Sequence, residues 1–195
     1  MIIERGFMIL THRRQKLINA VIYFARNTKY CGKIKLLKLL YFLDFWHFKQ
    51  TSKSVTGLNY SAWDFGPVPD EFYEEISDEM SPDLAEAIKI IPIEKFQKIH
   101  ARKPFDSKYF TKREKRLLEL LVEIFRDAKA EDMVESTHLL NSPWDRTLKE
   151  KGKHQPIDYF LALDDDPESL RPDEVAHRIR EREEMYNAFG VEKCM

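Results

Sequence analysis

Two lysines, Lys35 and Lys38, sit inside the apolar run Lys35-Leu36-Leu37-Lys38-Leu39-Leu40-Tyr41-Phe42. Three residues apart on a helix, they share a face on which two ammonium groups can meet one carboxylate or phosphate, their stems lying over apolar neighbours. A second reading is that they reach out of a buried helix to pair with internal acids, such as Asp44 or those of residues 70–79. The two readings are compatible. Arg13, Arg14, Lys16 and Lys29 would extend such a basic surface toward phosphates.

Other clusters offer less chemistry. Asp70, Glu71, Glu74 and Glu75 fall on adjoining turns of one short helix, a spacing that can line a site but more often marks a solvated face. Asp164-Asp165-Asp166 lacks the spaced ligands and glycine of a calcium loop, which favours a flexible acidic linker. The histidines, His12, His47, His100, His138, His154 and His177, are dispersed, with no two at i,i+3 or i,i+4. GxGxxG, P-loop, HExxH and GxSxG motifs are absent from the sequence. The expectation is a protein that is not an enzyme and uses no cofactor or metal. Tyr60, Trp63, Phe65, Tyr73 and Trp144 form an aromatic set that serves either as interface anchors or as core. His138, between Thr137 and Trp144, reads as a satisfied structural histidine.

The elements that position these residues follow from periodicity. Thr11 is a plausible N-cap for a first helix over residues 12–27, where Leu17, Ile18, Val21, Ile22, Phe24 and Ala25 recur at helical spacing. Cys31-Gly32 breaks it, and a second helix spans residues 33–50. Eleven of the fifteen residues from Ile34 to Phe48 are apolar, too many for a helix with one buried stripe, so this is the central helix. That apolarity also argues against its being the recognition helix of a helix-turn-helix.

Residues 58–63 are β-prone, and Gly66-Pro67-Val68-Pro69 ends that stretch. A short helix spans residues 71–78, and residues 88–93 and 96–101 pair as a hairpin about Glu94-Lys95. Thr111-Lys112-Arg113-Glu114 has the form of a capping box, and Leu117, Leu118, Leu120, Leu121, Ile124 and Phe125 give the helix after it a broad apolar face. A short helix spans residues 130–140, and another runs from Ser142-Pro143 to Gly152. After the linker Asp164-Asp165-Asp166-Pro167, an amphipathic helix from Pro172 to Phe189 carries Val175, Ile179, Tyr186 and Phe189 on one side and stops at Gly190. The fold class is mostly α, α+β: a helical domain around a buried central helix with a small antiparallel β element. Residues 1–163 form the domain, and residues 164–195 a linker and a helix packing on the domain or on a partner.

The bulk properties agree. The chain of 195 residues suits one domain with an appendage, and 43% hydrophobic residues support a sizeable core. Cys31 and Cys194 are too few for a disulfide framework, which points to a reducing, cytoplasmic setting. The N-terminal residues show no signal-peptide pattern. In the most apolar segment the longest unbroken run is five residues, Leu39 to Leu43, against the ~20 of a membrane span. The net charge of -1 conceals blocks: +9 over residues 1–53, -9 over 54–87, +7 over 88–116 and -8 over 117–195. Such blocks either form opposed faces or neutralise one another on folding.

Four elements occur in one order: Lys35, Leu36, Lys38, Leu39, Leu40 and Tyr41; Ala62, Trp63, Gly66, Pro67 and Val68; Thr137 and His138; Pro143 and Trp144. In this the chain resembles the Panacea, or SocA-like antitoxin, domain family over roughly residues 12–160. The resemblance implies an α-helical domain with a small β element that acts as an antitoxin, some members resembling adaptors that deliver a toxin to a Clp-type protease and others being phage-associated. It implies direct binding of a cognate protein toxin, with Lys35, Lys38, Tyr41, Trp63, Phe65, Gly66, Pro67 and Val68 as candidate contacts and Leu39, Leu40, Thr137, His138 and Trp144 as structural motif residues. Residues from about Asp164 onward lie outside the resemblance; by its position alone, the tail helix with Phe189 is the candidate for a second, toxin-specific contact. The alternative is a nucleic-acid-binding regulator using the basic blocks.

Overall fold

The computed structural model describes residues 12–93, 96–139 and 141–188. In chain order the elements are α1 (Arg13–Asn27), α2 (Lys33–Thr51), β1 (Ser61–Trp63), β2 (Gly66–Val68), α3 (Asp70–Ser77), α4 (Pro82–Ala87), β3 (Ile88–Ile93) and β4 (Phe96–Ala101). They continue with α5 (Lys112–Phe125), α6 (Ala130–Thr137), α7 (Pro143–Lys151) and α8 (Pro172–Ala188), with single 3-10 turns at Ser107–Tyr109 and Tyr159–Ala162. The protein is mostly helical, with two separate antiparallel pairs of strands among the described residues.

Helix α2 is the hub. Thirteen of its nineteen residues are buried, and it touches α1, α5, α6, β2, β4 and the 3-10 turn at Tyr159–Ala162. A helix covered on so many sides is apolar all round, and its few polar residues must find partners inside the protein. Asp44 does so completely. Its carboxylate accepts from the Val55 N–H at 2.7 Å, the Thr56 N–H at 2.8 Å and the Tyr60 hydroxyl at 2.9 Å, and from the Thr56 hydroxyl. Burial raises its pKa to about 6, and the four donors act against that rise. Asp44 thus folds the turn at residues 52–57 back onto α2.

The chain around Gly66 differs from the expected stop. Gly66-Pro67-Val68 is a return strand, paired as Ser61 with Val68, Ala62 with Pro67 and Trp63 with Gly66. The far edge of β1 pairs with residues 154–157: the Ala62 N–H donates to Gln155 O at 3.0 Å and the His154 N–H to Ala62 O at 2.8 Å. Ala62 therefore directs its backbone groups away from β2, and Pro67 opposite it needs no N–H for the ladder. At Gly66 the chain takes φ 95°, a left-handed conformation that glycine adopts without strain.

Several elements stand where periodicity puts them. The β3–β4 register runs from Ile88 with Ala101 to Ile93 with Phe96, and Glu94-Lys95 lies outside the described residues. The α5 capping box is formed: Glu114 N–H donates to Thr111 Oγ1 at 3.2 Å and Thr111 N–H to Glu114 Oε2 at 2.7 Å. Ser142 caps α7, and Gly152 ends it at φ 93°. Helix α3 begins one residue earlier than expected, at Asp70, and α6 ends at Thr137 rather than running to Leu140, which is itself undescribed. Helix α4 was not anticipated, although Ser81-Pro82 opens it. The proposed cap Thr11, Cys194 and the expected helix end at Phe189 and Gly190 lie outside the described residues.

The acidic linker is pinned to the end of α2. Lys49 Nζ lies 2.8 Å from Asp164 and 3.2 Å from Asp166, and the Leu170 N–H donates to Lys49 O at 2.9 Å. Helix α8 then lies on the domain, with Val175 buried and Arg182 donating to the Ser52 carbonyl at 3.2 Å and hydroxyl at 2.9 Å. No helix among the described residues is long and apolar enough to cross a membrane.

Replacing Asp44 by Ala leaves four buried donors without their acceptor. The expected cost is at least about 3 kcal/mol, read as a lowered urea midpoint at unchanged m-value.

Candidate functional site

The i,i+3 spacing of Lys35 and Lys38 does not build a shared basic face. Lys35 is 0% exposed. Its ammonium donates to the carbonyls of Lys29 at 2.8 Å, Arg126 at 3.1 Å and Ala128 at 2.6 Å. All three protons of the ammonium have acceptors, and two of the carbonyls lie just past the C-terminal end of α5, where a cation is favoured. Burial lowers its pKa. Lys35 thus ties the α1–α2 turn to the end of α5, and neither lysine pairs with Asp44 or an acid of α3.

Lys38 points elsewhere. It is 2% exposed, and Nζ donates to Pro67 O at 2.8 Å. That carbonyl is on the β2 edge left free by the register with β1, so the lysine supplies the partner a third strand would give. Burial brings the Lys38 pKa down to about 7. Gly66 brings the strand this close: a Cβ placed there would stand 2.6 Å from Thr137 Oγ1 and 2.9 Å from Lys38 Nζ.

The remaining motif residues complete the same cluster. Thr137 is buried at the end of α6 and donates to Val134 O at 2.8 Å. The His138 ring stacks on Trp144 at 3.9 Å and 4°. Burial, then the nearby Lys38 charge, lowers the His138 pKa, so the ring is neutral at neutral pH. His138 Nε2 is buried with no hydrogen-bond partner, so His138 is held by stacking rather than by a satisfied hydrogen-bond set. The Trp144 indole N–H donates to Trp63 O at 2.8 Å, and the Trp144 backbone meets the Tyr41 hydroxyl, whose pKa is pushed up by burial. On its outer side Trp63 donates from Nε1 to Asp70 Oδ1 at 2.7 Å and packs edge-on against Tyr73 and His154. Asp70, which also accepts from the Ser61 hydroxyl, is a positioning residue that sequence reasoning placed in an acidic face. Its signal was its place immediately after the hairpin.

Four stretches of chain therefore meet around Lys38 and hold the β1–β2 hairpin rigidly. Of the contact candidates, Lys35, Lys38, Tyr41, Gly66, Pro67 and Val68 are buried and Trp63 is half-buried; Leu39 and Leu40 are core. Phe65 at the hairpin tip is 73% exposed. Leu139, two residues beyond Thr137, is 64% exposed. Beside it lies a groove of about 550 Å³ lined by Phe42, Trp46, Leu139, Pro143, Arg146 and Leu161 among others. Sequence reasoning missed Leu139 and the groove, whose walls come from segments far apart in the chain. Glu71 and Glu74 are exposed, and Glu75 is bound by Arg14. Among the described residues no group of three or more His, Cys, Asp or Glu is placed to hold a metal ion. Burial pushes the Cys31 thiol up to about 11, away from reactive thiolate chemistry.

The geometry is that of a helical scaffold displaying one braced hairpin. The chain belongs to the family of SocA-like antitoxins, Panacea domain, whose model matches residues 36–145. The match takes in Lys38, the hairpin, Thr137, His138 and Trp144, and ties the protein to toxin–antitoxin systems. Lys35 lies one residue outside it. No curated protein and no solved structure matches the chain.

Two outcomes follow for the cluster. The Lys38 pKa of about 7 lies below its unfolded value of ~10.4, so between these values the unfolded chain holds more protons. Stability therefore gains from this group as pH rises through that window. Lys38→Met abolishes the gain, read by comparing urea unfolding of both proteins at about pH 7 and about pH 9. Gly66→Ala, strained at φ 95° and clashing with Thr137 and Lys38, costs about 2 kcal/mol or more by the same measurement.

Proposed function

We propose that this protein is the antitoxin of a toxin–antitoxin pair and that it neutralises its cognate protein toxin by binding it directly. In this reading the contact surface is the Phe65 tip together with Leu139 and the groove beside it, and the chain performs no catalysis. The observation that carries the reading is the contrast at the hairpin. The carbonyls on either side of the tip, of Trp63 and Pro67, are each held by a buried motif residue, Trp144 and Lys38, while the Phe65 ring itself is left in solvent. An exposed aromatic on a pre-ordered loop loses little entropy when it enters a partner's pocket, which is how interface hot spots are built.

The groove supplies the second half of the surface. Its walls set Phe42, Trp46, Leu139, Pro143 and Leu161 beside polar residues that include the Lys49–Asp164 ion pair, and Arg146 has no ion pair among the described residues. Family membership supports a toxin as the occupant. Neutralisation by occlusion needs only this contact, whereas delivery to a Clp-type protease requires a further surface for the protease. The cytoplasm is the compartment in which this reading places the protein.

Co-expression with the neighbouring gene product tests the reading. The wild type restores growth and co-purifies with the toxin. Phe65→Asp folds with an unchanged melting temperature, because the side chain makes no core contact, but loses rescue and weakens the complex at least about tenfold. Retention of full rescue and a tight complex by both Phe65→Asp and Leu139→Asp contradicts the assigned surface.

A further inference from the structure

A second surface lies at the C-terminal end of α2, and it is made of cations. Arg182 of α8 donates to the Ser52 carbonyl and hydroxyl, and Lys53, the next residue, is exposed. The Arg13 side chain runs across Gly57, its Cδ 2.6 Å and Nε 3.0 Å from where a Cβ would stand. Lys16 Nζ lies 2.6 Å from Glu114, and the neighbouring Arg113 is exposed. Burial lowers the Lys53 pKa, and the charges of Arg182 and Lys16 lower it further; Arg182 is itself lowered by burial and then by Arg13. His47, which shares a hydrogen bond with Lys53 O at 2.6 Å, feels the charges of Lys16 and Arg113.

Five cations from four elements thus converge, and the carboxylates near them among the described residues are Glu114, Glu183 and the buried Asp44, which is taken up by the 52–57 turn. Glu114 is buried and engaged by Lys16 and by the Thr111 amide. Part of this charge complements the negative end of α2, but one helix terminus does not account for five cations. The excess continues onto α5, where Lys112, Lys115 and Arg116 make no ion pair among the described residues, although cations are disfavoured in a helix's first turns. The first turn of α1 likewise holds no acid.

We propose that this face binds the phosphodiester backbone of a nucleic-acid duplex without reading its sequence. A row of cations from several elements matches an extended polyanion better than it matches a single carboxylate. Arginine is well suited to phosphate, and it supplies three of the five. Among the described residues the large exposed hydrophobics, Tyr30, Ile34, Phe65, Ile93, Leu120, Ile124, Leu139 and Met185, supply no row of rings along this face, and the ring beside Arg182, Tyr186, is half-buried. One half-buried ring gives the successive bases of a single strand little to stack on, so the contact is to the backbone, which carries no sequence information. The surface is separate from the Phe65 tip, and its test is independent of toxin binding.

Fluorescence anisotropy with labelled duplex DNA, duplex RNA, the single strands and a polyglutamate peptide, over a salt series, tests the proposal. The expected result is duplex binding that is insensitive to sequence and weakens linearly in log salt. Lys53→Ala with Arg113→Ala leaves the melting temperature unchanged, since neither side chain makes a hydrogen bond or ion pair among the described residues, and reduces the salt slope by about 2. DNA and RNA duplexes are separated by which binds more tightly, and either one satisfies the proposal. Binding of polyglutamate alone, a preference for single strands, or duplex binding unchanged by the double variant overturns it.

Discussion

A lysine buried in the centre of a small domain is expensive unless its charge is shed or its protons are accepted. Lys38 does some of each. Among the described residues it holds one strand carbonyl and nothing acidic, and burial brings its pKa close to neutrality. The carbonyl it holds belongs to the short return strand β2, whose partner β1 offers only three paired positions. A hairpin of that length is not stable alone. It is kept in place by Lys38 on one edge, residues 154–157 on the other and the Trp144 indole at Trp63. The interior of α2 thereby fixes the position of a loop at the surface.

The charged residues of α2 show how an apolar helix can be a hub for polar structure. Lys35 gathers three carbonyls at the α1–α2 turn and the end of α5. Lys38 takes the β2 edge and Asp44 the 52–57 turn. Each buried group organises a loop rather than another charge, so removing one is expected to loosen a surface segment as well as the core. Such buried polar groups add specificity where an aliphatic residue would add only area.

Much of this was legible in the sequence. The density of apolar residues from Ile34 to Phe48 identified the central helix, and the Thr111–Glu114 and Ser142-Pro143 signals located two helix starts, because those are local physics. The order of the four motif elements identified the family. What local patterns could not show was the direction of side chains. Two lysines at i,i+3 were expected on one face, yet their heads part toward different carbonyls. Gly66-Pro67 reads as a stop because proline lacks an N–H, and only the register, with Ala62 turned toward residues 154–155, reveals that no N–H was needed. The groove beside Leu139 and the cation face at Lys53 are assembled from distant segments, and no window along the chain contains either.

The central claim is that buried motif residues exist to display a braced hairpin to a toxin. Amide hydrogen exchange of the chain alone and in complex with its toxin addresses it most directly. The account predicts slow exchange at residues 61–68 in the free protein, with further protection on binding confined to residues 63–66 and 136–142. Protection confined to α8 or to the α1–α5 face, with the hairpin unchanged, would contradict it.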